Sequence, residues 1–517
     1  MQKASIACYW MPAIIGMTAL ATAGAHRGPR ASRLPAAVIG TGVVVAVAAM
    51  PLMGSTSILI LAAGMVALAI GVCALINPVL ATVLLLVTMF LRLPIRAAVG
   101  LPVELFLIAF AGVAVSTVLW MDRTPDRLRG LGSVGWAMVA YLTWNVYSMF
   151  TPHQYVAADP VVGERLSVTR LIVMGSLIPF AMYLVGRYAF DRKSAVRALL
   201  WAILALAAFS AVVSIMPSVG LADWVWPRYI VEIQTPGWAG RAVGIFNQPV
   251  VNGMVLALGV AIAMLLAARR DEPAWQRRTA LVIGIASGIG VYETHTRAAW
   301  LGALAVLLIG ALLATGYRTG FVVALLLVIT TVAANWSTFT SADREAGGVG
   351  SLNEVDSRLN DIRTAFWAFE RKPLEGWGIG RFQSVNTYHH QQWSVDTAIS
   401  LGYGEVSHQN ELAILAELGI VGLTAWICVL ALAAIGVWRA YRTLPDADLC
   451  GKPLAVLAMM AMAILISAGM TVDLRFFEFA ITVIFLLIGI AIGWADRTRR
   501  TPAGASGILR PTVQHHV

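Results

Sequence analysis

The sequence predicts an all-α, polytopic membrane protein with about 12–14 transmembrane helices and one long, partly helical loop on the outer face. Three observations carry this. Of 517 residues, 59% are hydrophobic and only 12% charged, with a mean hydropathy of +0.78, too little charge to cover a water-soluble surface of this size. Apolar runs long enough to cross a bilayer recur along the chain, and they are continuous rather than alternating, which excludes a β-barrel. The basic residues gather in alternate connections, as a fixed topology requires.

Residues 7–25 are apolar and follow Lys3; they read equally as a signal segment, an extra span or an over-long start, so 1–34 are set apart as an N-terminal segment. A helix bundle is expected over 35–337, with spans near 35–53, 56–76, 79–91, 101–120, 131–150, 170–190, 198–216, 243–268, 279–296, 298–315 and 320–337. The short pair 279–296 and 298–315 also reads as broken or re-entrant helix. A lid loop over 338–410 follows, then C-terminal spans within 411–495 (near 411–437, 453–472 and 478–495), then a disordered tail over 496–517.

The formal net charge of +10 suggests nucleic acid in a soluble protein. Here it is accounted for by connections: Arg27–Arg33, Arg123–Arg129, Arg192–Arg197, Arg269–Arg278, Arg318, Arg439–Lys452 and Arg497–Arg500 all fall on one side, assigned to the cytoplasm. They meet anionic lipid, and no nucleic-acid partner is expected. The opposite face collects 151–169, 217–242, 294–297, 338–410 and 473–478. Trp224, Trp226, Trp238, Trp300 and Trp336 lie near these ends, as interfacial aromatics do. Cys8, Cys73, Cys428 and Cys450 lie outside the long loop, so no disulfide framework or thiol site is implied; the spacing for a metal is absent and no cofactor is expected.

Arg170, Arg241 and Arg297 break the charge rule by standing at outward-facing membrane boundaries. One reading is snorkelling, or pairing with Glu232 or Glu293. The other is binding of an anion: guanidinium groups grip phosphate bidentately and stay charged, so two of them can hold a pyrophosphate without metal. His408 stands where the long loop enters the next span. Ser407 or His408 is placed at the N-cap, with Glu411 in the first turn and His408, Glu411, Leu412 and Leu415 on one helix face. The imidazole either caps the helix or accepts a hydroxyl proton near neutral pH.

Within the lid, Leu359, Ile362, Phe366 and Phe369 form an apolar stripe, with Asp356, Asn360 and Arg363 largely on the other side, and Lys372-Pro373 ends the helix. Gly376, Gly378 and Gly380 permit a tight turn before Phe382; no strand precedes them, so they are not a dinucleotide fingerprint. The adjacent His389 and His390 have poor geometry for a metal.

Four stretches in order resemble the O-antigen ligase and polymerase superfamily of bacterial envelope glycan enzymes: Arg241 to Pro249, Thr296-Arg297-Ala298, Arg358 followed by Pro373 to Phe382, and His408 to Gly422. The resemblance covers about 235–425; Gln409-Asn410 departs from the family's His-Asn pair and displaces the amide by one residue. It implies a bacterial inner-membrane enzyme with its active site at the periplasmic face and 338–410 as a periplasmic loop. The implied partners are an undecaprenyl-pyrophosphate-linked glycan donor, a lipid A–core acceptor and membrane lipids. The implied reaction is metal-independent glycosyl transfer, most simply with inversion. Arg241, Arg297 and His408 are the implied catalytic residues, and Arg170, Arg358, Asn410, Glu411 and Gln248 the implied substrate-binding residues. Only three spans are expected after the long loop, with no large C-terminal periplasmic domain, which argues against the protein-glycosylating branch; the ligase is favoured over the polymerase. The alternatives are an O-antigen or exopolysaccharide polymerase, a protein O-oligosaccharyltransferase and, from another class, a lipid-linked glycan transporter, which more often carries internal repeats or charges at mid-bilayer.

Overall fold

A computed structural model describes residues 77–99, 104–122, 130–232, 238–342, 348, 352–446 and 448–500. The N-terminal segment 1–34, the spans expected at 35–53 and 56–76, and the tail from residue 501 lie outside the described residues. The described chain is an all-α, multi-pass membrane protein, with one two-residue ribbon (β1, Ala158–Asp159, paired with β2, Glu164–Arg165).

The bundle helices are α1 (Pro78–Phe90), α2 (Arg92–Val99), α3 (Leu105–Asp122), α4 (Gly132–Phe150), α5 (Val168–Ala189), α6 (Lys193–Ile215), α7 (Pro249–Ala268), α8 (Ala274–Glu293), α9 (Arg297–Leu313) and α10 (Arg318–Ala334). The lid holds α11 (Leu352–Arg371) and α12 (Phe382–His389). Three helices close the chain: α13 (Asn410–Thr443), α14 (Lys452–Gly469) and α15 (Glu478–Arg500). Among the described residues, seven of these (α3, α5, α6, α7, α13, α14 and α15) are long and apolar enough to cross a membrane, and α1, α9 and α10 are shorter apolar helices. Helix is the only backbone form that satisfies its own amides in hydrocarbon, which is why the apolar runs fold this way.

Helices α7 and α15 are almost wholly buried, whereas α3 and much of α13 face outward. α15 lies along α5, where Gly186, Gly489 and Gly493 bring the two backbones together; a side chain on Gly489 would meet the Tyr183 carbonyl at 2.0 Å. Helices α8 and α9 are separate, joined by the 294–296 turn: α8 packs on α6 and α7, α9 on α14.

Ion pairs tie each end of the bundle. At the basic end, Arg187 binds Asp496 at 2.8 Å, Lys193 pairs with Asp448 and Arg197 with Glu272. Among the described residues, the basic connections 192–197, 269–278 and 439–452 and the end of α15 therefore lie at one end. Residues 496–500, placed in the tail by sequence, continue α15; Asp496 and Arg497 are packed against the α5 terminus, which extends the helix past the last apolar residue.

At the other end the lid is bonded to a break in α13. Gly419 has φ 66° and ψ −167°, so the helix stops and restarts there. The break releases successive carbonyls: Ala416 O accepts from Trp377 N at 3.0 Å, Glu417 O from Gly378 N at 2.8 Å and Leu418 O from Trp144 Nε1 at 2.9 Å. In return Ile420 N donates to Pro373 O at 2.8 Å. The approach demands glycine on both partners. A Cβ on Gly376 would lie 2.4 Å from the Glu417 carbonyl carbon, and one on Gly419 would lie 2.2 Å from the Leu374 carbonyl oxygen. The Glu417 side chain completes the joint: it accepts from Gly380 N and Phe382 N, each at 2.8 Å, and pairs with Arg475 at 2.7 Å, which in turn holds Asp473 at 2.6 Å.

Two local expectations are corrected. The N-cap of α13 is Gln409, not Ser407 or His408, so His408 precedes the helix and shares no helical face with Glu411; the Ser407 hydroxyl instead accepts from Gln409 N at 3.2 Å. The buried face of α11 is Asn360, Asp361, Thr364, Ala365 and Ala368, while Phe366 is exposed. Polar side chains turn inward because the lid supplies their partners: Asn360 Nδ2 donates to the Ala398 and Leu401 carbonyls.

Glu417 is buried with its cationic partner, so Glu417→Gln leaves Arg475 short of a counter-charge and is expected to cost about 3–5 kcal/mol. Thermal unfolding in detergent checks this: the midpoint should fall markedly, while Glu375→Gln, an exposed change two residues from the joint's Trp377, should leave it unchanged.

Candidate functional site: an arginine cluster beside a histidine–carboxylate array

The site lies at the lid end, where the 238–248 loop, the 294–297 turn, α11 and the 405–408 segment meet. The loop carrying Arg241 is pinned to the turn twice: Ala242 N donates to Glu293 O at 2.8 Å and Arg241 Nη2 to His295 O at 3.1 Å. Underneath, the buried amide of Asn252 on α7 donates to Ala242 O at 2.9 Å and accepts from Ser210 Oγ at 2.9 Å. Gly244, at φ 58°, lets the loop cross that amide; a Cβ there would sit 2.2 Å from Asn252 Oδ1. Gln248 caps α7, its side chain accepting from Val250 N at 3.0 Å.

The 294–297 turn presents Arg297 as the first residue of α9. Thr296, the N-cap residue, spends its hydroxyl on the Thr294 carbonyl at 2.8 Å and does not cap the helix. A positive helix end and a guanidinium therefore coincide, an arrangement that favours an anion. His295 is held at φ 43° to make this turn, and burial with Arg241 nearby lowers its pKa.

Arg358 reaches the same place from α11. Burial, then repulsion from Arg358 and Arg297, lowers the pKa of Arg241; burial, then repulsion from Arg297, lowers that of Arg358, with Asp361 opposing it. Three arginines from separate elements are thus close enough to destabilise one another's charge. Glu232, one carboxylate the sequence offered as a partner for Arg241, pairs instead with Arg228 at 3.1 Å. A cavity of about 220 Å³ lies on one side of Arg241, lined also by Trp238 and Glu293; Arg297, Arg358 and His408 do not line it, so it does not define the whole site.

His408 Nε2 lies 2.8 Å from Glu405 Oε2. Ser357, next to Arg358, reaches the same oxygen at 3.5 Å. Asp361, Glu405 and His408 each place one potential ligand atom within 4.8 Å of the others, the one such trio among the described residues. Asp361 is buried, and its pKa rises to about 9 through burial first and the Glu405 charge second, against the Asn386 amide and Arg358. Glu405 is pulled the other way, chiefly by its hydrogen bond to His408. At neutral pH the two carboxyls therefore carry one negative charge between them, which is a weak donor set for a cation.

Arg297, Arg358 and Arg241 are brought together, and His408 joins them through Glu405, Ser357 and Asp361. Arg170 is in another group: it pairs with Glu104 at 3.3 Å, and Glu104 binds Arg92 at 3.0 Å. Asn410 Oδ1 accepts from Leu474 N at 3.2 Å and Glu411 accepts from Trp426 Nε1 at 3.2 Å, so both hold helix ends. His389 is absorbed in an aromatic cluster with Tyr155, Trp367 and Trp377. Sequence reasoning missed Asp361, Glu405, His295 and Asn252. Asp361 is one turn beyond Arg358, which was a readable signal; Glu405 sits in a glycine-rich segment with no periodicity.

Residues 279–427 match the family model Wzy_C, described as O-antigen ligase. The chain carries an O-antigen ligase superfamily domain. The matched stretch contains Arg297, Arg358, Glu405 and His408; Arg241 lies before it. No curated protein matches the chain. This match supports, in general terms, an O-antigen ligase or polymerase type of function and lipid-linked glycan substrates for a multi-pass membrane protein.

Asp361 supplies a pH signature. Its folded pKa of about 9 lies above the ordinary carboxyl value, so the folded chain keeps a proton that the unfolded chain releases, and this stabilisation is lost as pH rises from about 4 to about 9. Thermal midpoints taken across that range should decline in the wild type, and Asp361→Asn should flatten the decline.

Proposed function

We propose that the protein is an O-antigen ligase: it transfers the O-antigen polysaccharide from undecaprenyl pyrophosphate to lipid A–core at the periplasmic face of the inner membrane. The observation that supports this best is the meeting of Arg241, Arg297 and Arg358 at the lid end, with His408 linked through Glu405 to Ser357, the neighbour of Arg358.

The chemistry follows from the charges. As the anomeric C–O bond to the donor phosphate breaks, negative charge grows on the departing pyrophosphate. Guanidinium groups fixed around that position stabilise the transition state more than the ground state, and their preorganisation avoids reorganisation during the reaction. His408 takes the proton of the acceptor hydroxyl as its oxygen attacks the anomeric carbon from the opposite side, so the reaction inverts configuration and needs no metal. Gln248, Asn410, Glu411 and Arg170 act by holding the helix ends and loops that carry the site.

Full-length protein in lipid nanodiscs, supplied with lipid-linked O-antigen, purified lipid A–core and a divalent-metal chelator, tests the assignment. Transfer to the core should survive chelation. Arg241→Ala, Arg297→Ala and His408→Ala should each lower turnover by roughly 10²–10³-fold, and Arg→Lys should not restore it, since an ammonium cannot make the bidentate grip. Elongation of the lipid-linked glycan without transfer to the core makes the protein a polymerase instead, and movement of the lipid without bond cleavage makes it a transporter.

A further inference from the structure

We propose that Glu405 is the positioning residue for His408: it accepts the Nε2 proton, fixes the imidazole in that tautomer, and leaves Nδ1 as the lone pair that receives the acceptor proton. This rests on the ligase reading of the site and names the group that makes His408 a directed base rather than a helix-terminal histidine.

Four observations carry it. The Nε2–Oε2 separation is 2.8 Å, and among the described residues this is the imidazole's hydrogen bond. Glu405 is itself fixed: its backbone N donates to Gly402 O at 3.2 Å, its carbonyl accepts from Asn386 Nδ2 at 3.0 Å, and Ser357 reaches its carboxylate. Asn386 also donates to Gly402 O at 2.7 Å and to Asp361 Oδ1 at 3.3 Å, so one buried amide sets the segment against α11. Finally, Asp361 Oδ2 is buried with no hydrogen-bond partner among the described residues, surroundings that disfavour its charged form. Asp361 kept neutral leaves the negative charge on Glu405, where it faces His408. The other titratable group acting on Glu405 is His390 after α12, whose Nδ1 is engaged by Asn386 Oδ1 at 2.6 Å, while Arg358 on α11 acts on Asp361.

The step balances. The acceptor O–H bond breaks and its proton passes to His408 Nδ1. The oxygen forms the new bond to the anomeric carbon, and the old anomeric C–O bond leaves its electron pair on the pyrophosphate held by the arginines. The resulting imidazolium is paired with the Glu405 carboxylate, which is the moment at which a base–carboxylate dyad contributes most.

The test compares wild type, Glu405→Gln, His408→Ala and the double variant in nanodiscs, recording kcat and donor KM from pH 5 to 9. Glu405→Gln should lower kcat roughly 10- to 100-fold with donor KM within about twofold. The double variant should be no slower than His408→Ala alone. An unchanged kcat overturns the proposal, as does a raised donor KM at constant kcat. Chelator-abolished turnover restored by Mn²⁺, with Mn²⁺ binding lost in Glu405→Gln, overturns it too by making the trio a metal site. Thermal midpoints matching wild type show that Glu405→Gln has folded. The two levels separate cleanly: His408→Ala at wild-type rate sinks the ligase mechanism itself, whereas a dead His408→Ala with an undisturbed Glu405→Gln removes only the Glu405 assignment.

Discussion

The structure depends on one buried carboxylate. Glu417 sits at the break in α13, accepts two lid amides and binds Arg475, which holds Asp473 before α15. Each of these groups would be costly to bury alone, and each is satisfied by the others. The break at Gly419 gives the joint its second half, because a continuous helix would have no spare carbonyls at this depth for Trp377 and Gly378. Three chain segments far apart in sequence therefore meet through backbone and charge, with no disulfide available to do it. The glycines of the lid turn are explained by this contact and need no role in chemistry.

The arginine cluster has the opposite character. Arg241, Arg297 and Arg358 are half-buried and lower one another's affinity for protons. Guanidinium cannot escape the repulsion by deprotonating at any physiological pH, so an anion placed among the three relieves it. The neighbouring acid that might have relieved it, Asp361, is pushed up to about 9 and is neutral under ordinary conditions. Asp361 therefore adds no counter-charge to the cluster under those conditions. Its neutrality leaves the negative charge of the carboxyl pair on Glu405, beside His408.

Much of this was legible. Long apolar runs and the alternation of basic connections gave the helices and their sidedness, because bilayer thickness and backbone satisfaction leave few alternatives. Arg241 and Arg297 stood out because they break the charge rule at outward-facing membrane boundaries, and His408 because it stands where the long loop enters a span. What escaped was set by contacts distant in sequence. The α11 stripe of Leu359, Ile362, Phe366 and Phe369 has helical period yet is not the packed face, since Asn360 and Asp361 find partners in the 398–408 segment. Arg170 looked like a third member of the anion site until Glu104 came up beside it. Gln248 and Asn410 lie within motifs of the resemblance, but their side chains close hydrogen bonds of helix ends.

The division of the site between two bodies of structure has a consequence for how it works. Arg241 and Arg297 are fixed by the bundle, through Asn252, the 294–297 turn and the end of α9. Arg358, Glu405 and His408 ride on the lid. Arg358 and His408 thus come to the bundle arginines where the lid is seated on α13. Seating is governed by the Glu417 joint, which contacts neither the arginines nor the imidazole. A joint remote from the cluster therefore sets whether the bundle half and the lid half of the site face each other.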